Sequence, residues 1–197
     1  MKNYVLTYAE FLNESESVSL PIKLKITEIN DLLKKYDKVW ILTGGAPGAG
    51  KSYIAKKYIN LPIIDMDDYV EKLSGGKGKY NPNLGSKARV LARSDVDKNL
   101  KFGKSFLKQG TSAIFNAVKN QCEQAKAAGF ICIFLYIDIP INQAFSNNKK
   151  RTESGERESS VPDFVIERKL KDSRTVFKLI QNSANLFNYY SYYLNKM

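Results

Sequence analysis

The sequence predicts an α/β protein, a doubly wound parallel sheet in three layers, and three observations carry that prediction. Two runs, Val39-Trp40-Ile41-Leu42-Thr43 and Phe130 to Ile139, are too continuously apolar for strands with one wet face, which implies a parallel sheet covered by helices on both sides. Helical stretches separate the strand candidates, as the crossovers of parallel strands require. The first run ends in a glycine-rich turn from which a helix is expected to begin near Gly50, an arrangement that puts a ligand crevice at the strand C-termini.

Taken in order, Met1 to Glu14 is amphipathic, Ser15 to Pro21 is a polar break, and Ile22 to Tyr36 repeats apolar residues at Ile22, Leu24, Ile26, Ile29, Leu32 and Leu33, which predicts a helix. Residues 1–36 are therefore expected to form an N-terminal leader and helical extension, and residues 37–197 one catalytic domain. Beyond the first strand, further strands are expected at Leu61 to Ile64, Thr111 to Phe115 and Phe130 to Ile139. Lys87 to Lys108 carries Lys101, Lys104 and Lys108 at a spacing that would share one helical face. Ala117 to Ala128, closed by Gly129, reads as a crossover helix with a glycine C-cap. A long helix is expected from Val161 towards Ser183, followed by a tyrosine-rich tail, Phe187 to Leu194, packed on the sheet as an edge element.

Composition sets the boundaries. With 197 residues and 43% hydrophobic content, the chain can bury one core with a modest appendage. Two cysteines, Cys122 and Cys132, are too few for a disulfide framework and point to a reducing cytoplasm. No apolar stretch reaches the roughly 20 residues of a membrane span. The chain has no histidine and a formal net charge of +11. Histidine-based catalysis is thereby excluded, and anionic partners such as nucleic acid, nucleotides or sugar nucleotides are favoured, although a solvated lysine-rich surface accounts for the charge equally well.

The chemistry starts at Gly45-Ala46-Pro47-Gly48-Ala49-Gly50-Lys51-Ser52. This is a complete Walker A loop, so the fold class becomes a P-loop NTPase with α/β/α layers. Its glycines let successive backbone N–H groups converge on phosphate oxygens, and the following helix adds its positive end. Lys51 is expected at the β- and γ-phosphates of ATP, with the Ser52 hydroxyl on Mg²⁺. The second strand leads into Asp65-Met66-Asp67-Asp68-Tyr69, which a parallel sheet would place beside the loop. One of these acids could take the proton of an attacking hydroxyl, Asp67 foremost, while Asp65 could hold Mg²⁺ or its water. The plain alternative is that Asp67 or Asp68 caps the next helix.

These residues resemble the zeta-toxin and polynucleotide-kinase group of P-loop kinases. Gly110 to Asn116 looks like that group's third strand, and Ala127-Ala128-Gly129-Phe130 with Leu135-Tyr136-Ile137 looks like the strand that follows. Arg151 to Gly155, Arg157, Val161-Pro162 and Arg168 are similar to its arginine-bearing lid, at about residues 149–162. The resemblance implies that Asp67 is the catalytic base, that Lys51 stabilises the transferred phosphoryl group, and that Arg151 and Arg157 clamp the γ-phosphate. It implies a nucleotide-sugar acceptor such as UDP-N-acetylglucosamine, or else a polynucleotide 5′-hydroxyl. Two departures stand out: Val70 replaces the arginine that polynucleotide kinases carry after Asp-Asp-Tyr, and Asn116 stands where zeta toxins place an acid at the end of the third strand. Met1 to Ser15 resembles leaders of tailed-bacteriophage proteins clipped after a Leu-x-Glu site, which here would lie after Glu14. An antitoxin or a phage-capsid partner follows as an expectation, in host cytoplasm or virion. A rival class is a non-catalytic nucleotide-binding phage structural protein; a motor is disfavoured because no apolar strand ends in an Asp-Glu pair.

Overall fold

The computed structural model describes residues 19–76, 81–155 and 161–195. Six strands form one all-parallel sheet: β1 (Ile22–Leu24), β2 (Val39–Gly44), β3 (Ile63–Ile64), β4 (Phe106–Lys108), β5 (Ile131–Asp138) and β6 (Tyr189–Leu194). Their spatial order is β1-β6-β5-β2-β4-β3, and every neighbouring pair is parallel. The described α-helices are α1 (Ile29–Lys35), α2 (Lys51–Tyr58), α3 (Met66–Leu73), α4 (Gly85–Phe102), α5 (Phe115–Ala127), α6 (Ile141–Glu153) and α7 (Asp163–Gln181). Leaving β2, the chain goes first to β3 and β4 on one side and later to β5 and β6 on the other. The reversal of direction beside β2 opens the crevice into which the glycine-rich loop projects.

The two faces of the sheet carry separate cores because side chains alternate along each strand. Trp40, Leu42, Phe134 and Tyr136 face one layer with Val96 of α4, Cys122 of α5 and Phe177 of α7. Val39, Ile41, Ile133 and Leu135 face the other, with Ile29 of α1, Ile54 of α2 and Ala144 of α6. All six residues of β2 are buried, so its continuous apolarity is the direct signature of double coverage. In the first layer Tyr136 stacks on Phe177 with ring centroids 4.5 Å apart, and Trp40 lies against Phe187 at 6.1 Å. Contacts of this kind contribute about 0.5–1.5 kcal/mol each beyond burial, and they fix α7 and β6 against the strands that carry the site.

Several boundaries differ from expectation. Ile22–Leu24 is a strand, not the start of a helix, and a 3₁₀ turn at Ile26–Glu28 separates it from α1. Its partner is Tyr189–Ser191, a pairing that local periodicity cannot reveal. The tyrosine tail is β6, enclosed between β5 and β1, so it is an inner strand, and among the described residues β1 is the edge. The third-strand assignment to Thr111–Phe115 is also corrected. The strand is Phe106–Lys108, and the chain then turns at Ser112, whose φ of 49° is left-handed, before α5 begins at Phe115. Consequently Lys101, Lys104 and Lys108 do not share a helical face: Lys101 lies in the last turn of α4, Lys104 follows its left-handed cap Gly103, and Lys108 ends β4. The leader with Glu14, and Arg157 of the expected lid, lie outside the described residues.

Candidate active site

The phosphate loop is shaped by close approach as much as by backbone freedom. Gly45 has φ 134°, and a Cβ there would stand 2.2 Å from the Ile137 carbonyl oxygen; Gly48 has φ 79°, and a Cβ there would stand 2.6 Å from the Ala144 carbonyl oxygen. Either side chain would collide with rigid backbone of β5 or α6, so only glycine fits. Ala46 and Ala49 are fully buried beneath the loop, with Pro47 between them and half-buried. Gly50, also left-handed at φ 81°, precedes α2, which begins at Lys51. The loop is braced from three sides. The Gly45 N–H donates to the Thr111 carbonyl at 3.2 Å. Asn147 Nδ2 of α6 donates to the Gly48 carbonyl at 2.9 Å. Buried Asn195, just past β6, donates from Nδ2 to the Ala49 carbonyl at 3.1 Å. A peptide's C=O and N–H point in opposite directions, so holding the Ala49 carbonyl outward turns the Gly50 N–H inward.

Lys51 and Ser52 stand at the mouth of this loop. Lys51 Nζ donates to the Gly45 and Ala46 carbonyls at 3.0 and 2.8 Å, a cation held over the cradle by groups that a phosphate oxygen would outcompete. The Ser52 hydroxyl accepts from Gln109 Nε2 at 2.8 Å. The same amide nitrogen donates to Asp65 Oδ2, so the two residues expected to serve Mg²⁺ converge on one point from different elements. Gln109 Oε1 is buried with no hydrogen-bond partner among the described residues. An orphaned buried acceptor beside a hydroxyl and a carboxylate suits a hard cation with oxygen ligands, and the cradle that a Cβ would fill suits a polyphosphate. The residues therefore fit Mg²⁺-ATP.

Gln109 gave no sequence signal, because a lone glutamine belongs to no motif. Its place follows from the corrected position of β4: it is the first residue past that strand's C-terminal end. Asn116, assigned to that place from the resemblance, is instead exposed in the first turn of α5.

Asp65 also caps α3. Its Oδ1 accepts from the Asp67 N–H at 3.1 Å, so the cap expected of Asp67 or Asp68 belongs to Asp65. Burial first, and then the charge of Asp67, push the Asp65 carboxyl up to about 6. Asp67 lies in the first turn of α3 and is half-buried; Asp68 is exposed. Tyr69 donates its hydroxyl to Asp95 Oδ2 of α4 at 2.6 Å, fastening the helix that bears Asp67. Lys108 points away towards Gln121 of α5, to which it donates. Burial first, and then Arg93, push its ammonium below the usual lysine range. Arg151 is half-buried in the last turn of α6. Arg168 is exposed on α7, and Glu153 pairs with Lys149 at 3.7 Å.

A family model described as an AAA domain, AAA_33, matches residues 40–176. The chain belongs to this AAA_33 family. The match runs from β2 through most of α7, and so includes the phosphate loop, Asp65, Asp67, Gln109 and Arg151. No curated protein matches the chain by sequence. Among solved structures, it resembles a chain of the Pnkp1/Rnl/Hen1 RNA repair complex with TM-score 0.58 and 18% identity, over 72% of this chain and 46% of that one. It resembles a chain of the AvrRxo1-ORF1:-ORF2 assembly with ATP with TM-score 0.63 and 16% identity, over 80% and 54%. A structure from the PezAT chromosomal toxin–antitoxin system of Streptococcus pneumoniae matches with TM-score 0.54 and 17% identity, over 95% and 75%. The chain thus spans about half the length of the first two. At these identities the likeness is one of fold, and with the family it supports a P-loop phosphotransferase. No helix among the described residues is long and apolar enough to cross a membrane.

Proposed function

We propose that this AAA_33 protein is a kinase that transfers the γ-phosphate of Mg²⁺-ATP to a hydroxyl of a nucleotide-containing acceptor, with a nucleotide sugar such as UDP-N-acetylglucosamine as the first candidate. The observation that carries the reading is the convergence of Ser52, Gln109 and Asp65 beside the glycine loop, with Asp67 in the first turn of α3. Bound Mg²⁺ would neutralise charge on the β- and γ-phosphates, held by Ser52 directly and by Asp65 directly or through water. Lys51 would leave the loop carbonyls for the phosphate oxygens. The acceptor oxygen would then form its bond to the γ-phosphorus as the bond to the β-bridging oxygen breaks. ADP would depart with that electron pair, and Asp67 would receive the hydroxyl proton. Arg151, with Arg157, would steady charge on the moving phosphoryl group. No covalent enzyme intermediate is needed, which suits a site of fixed charges and donors. The kinase domain in this reading is residues 37–197, with a lid at about 149–162, and the setting is cytoplasmic, supported by the free, buried Cys122 and Cys132.

A second acceptor, a polynucleotide 5′-hydroxyl, is supported by the net charge of +11 and by exposed Lys87, Arg89 and Arg93 on α4. Transfer of labelled γ-phosphate into UDP-N-acetylglucosamine, other nucleotide sugars, and 5′-hydroxyl DNA and RNA separates the two. Asp67→Asn should lower transfer by about 10²–10⁴-fold. Label in no acceptor, with ATP bound, would overturn the kinase reading in favour of a non-catalytic nucleotide-binding role.

A further inference from the structure

Helix α6 carries Gln143, Asn147 and Arg151 at successive intervals of four, a spacing that sets all three on one face. The face is already occupied at its middle position. Gln143 Nε2 donates to Asn147 Oδ1 at 2.9 Å, which fixes the Asn147 amide so that its Nδ2 donates to the Gly48 carbonyl at 2.9 Å. The same stretch of α6 backbone presses on Gly48, where a Cβ would meet the Ala144 carbonyl oxygen at 2.6 Å. The next residue, Asn148, is only 6% exposed and makes a two-way bond to one partner: its Nδ2 donates to the Val161 carbonyl at 2.8 Å, and its Oδ1 accepts from the Val161 N–H at 3.1 Å. Adjacent asparagines therefore do different jobs. Asn148 joins the two ends of the segment 149–160, and Asn147 fastens its first end to the phosphate loop.

We propose that Asn147 is a positioning residue that sets Arg151 against the γ-phosphate. Arg151 lies one helical turn, about 6 Å, beyond Asn147 on the same face. With Asn147 fixed to Gly48, rotation of α6 about its axis is blocked. The arginine is then presented along the side of the helix that meets the loop. Releasing the Asn147–Gly48 bond uncouples the last turns of α6 from the loop, so that Arg151 is no longer held in register with it, while Ala144 and Asn148 keep the helix packed and the loop keeps its contacts from Thr111 and Asn195. The inference deepens the kinase reading, since it assigns Arg151 to the terminal phosphate, but its test needs no acceptor and no turnover.

The experiment is a double-mutant cycle read by calorimetry, with AMPPNP and ADP titrated in Mg²⁺ into wild type, Asn147→Leu, Arg151→Ala and the double variant. Wild type should prefer the triphosphate analogue by about tenfold, the worth of one charge-assisted contact. Each single variant should lose most of that preference with ADP affinity kept within about threefold. The double variant should be no worse than Arg151→Ala, because both changes remove one interaction. The proposal is overturned if wild type shows no preference, if Asn147→Leu keeps it, if both nucleotides weaken equally, or if the two effects add. Should Asn147→Leu not fold, Asn147→Ala, which lacks the donor for Gly48 and adds no charge beside the phosphates, gives the same reading. A full cycle as expected without any phosphoryl transfer would leave Asn147 in its role and remove the kinase reading alone.

Discussion

Replacing Asp65 by asparagine should make the empty protein more stable, although it strips the site of a group assigned to the cation. Burial and the neighbouring Asp67 charge raise the Asp65 carboxyl from its ordinary 3.8 to about 6. Folding therefore raises its proton affinity, and between pH 4 and 6 the folded state binds more protons than the unfolded one. Stability is greatest below about pH 4 on this account and falls as pH rises through 6. At 1.36 kcal/mol per unit the cost above pH 6 is about 2–3 kcal/mol. Asparagine carries no charge to desolvate and is as good a helix cap as aspartate, so the α3 terminus survives the change. Urea unfolding is readable through Trp40, the single tryptophan, which is buried against Phe187. At pH 7.5 Asp65→Asn should exceed wild type by about 2–3 kcal/mol, or about 5–10 °C in Tm, and the difference should close near pH 4. A variant no more stable than wild type at pH 7.5, or a difference independent of pH, would refute the reasoning.

Gly48→Ala should lower stability by about 1–3 kcal/mol and weaken ATP binding more than tenfold, because its methyl must displace either α6 or the loop; normal affinity by calorimetry would contradict the close approach to Ala144. Gln109→Glu sets a second carboxylate against Asp65 and removes the amide donor. The proton affinity of the pair should then rise, moving the acid limb of the kcat/KM profile up by about one pH unit. An unmoved limb would show that another group controls it.

The parts of the fold legible in the sequence were those whose signal is local. β2 and β5 announce themselves because both of their faces are covered, and the loop between β2 and α2 does so because close packing at Gly45 and Gly48 leaves no room for a side chain. Ala117–Ala128 and the long helix after Val161 were placed within two or three residues of α5 and α7. Ile22, Leu24, Ile26 and Ile29 fit a helical stripe, whereas the strand identity of β1 comes from Tyr189–Ser191, far along the chain. Thr111–Phe115 reads as a strand because threonine, isoleucine and phenylalanine favour strands. Tertiary bonds override that preference: the Thr43 carbonyl accepts from Ser112 Oγ at 2.7 Å and Thr43 Oγ1 accepts from the Gly110 N–H at 3.1 Å, bending this segment over the end of β2. At the candidate site, spacing singles out Lys51, Ser52, Asp65 and Asp67 in the sequence, while Gln109 and Asn147 join them through hydrogen bonds that spacing does not name.

The pairing of β1 with β6 also imposes an order on how the molecule is made. β1 is the first described strand to leave the ribosome, yet its one neighbour among the described strands, β6, is the last of them. Until Tyr189–Ser191 emerge, Ile22–Leu24 has no ladder to join, and the two strands beyond β5 stay unpaired. Because β6 also brings Asn195 to the Ala49 carbonyl, one brace of the phosphate loop is set by the same late event. The nascent chain would thus carry a complete glycine motif long before it carries a finished nucleotide cradle, and long-range closure of this kind is the slow part of assembling such sheets.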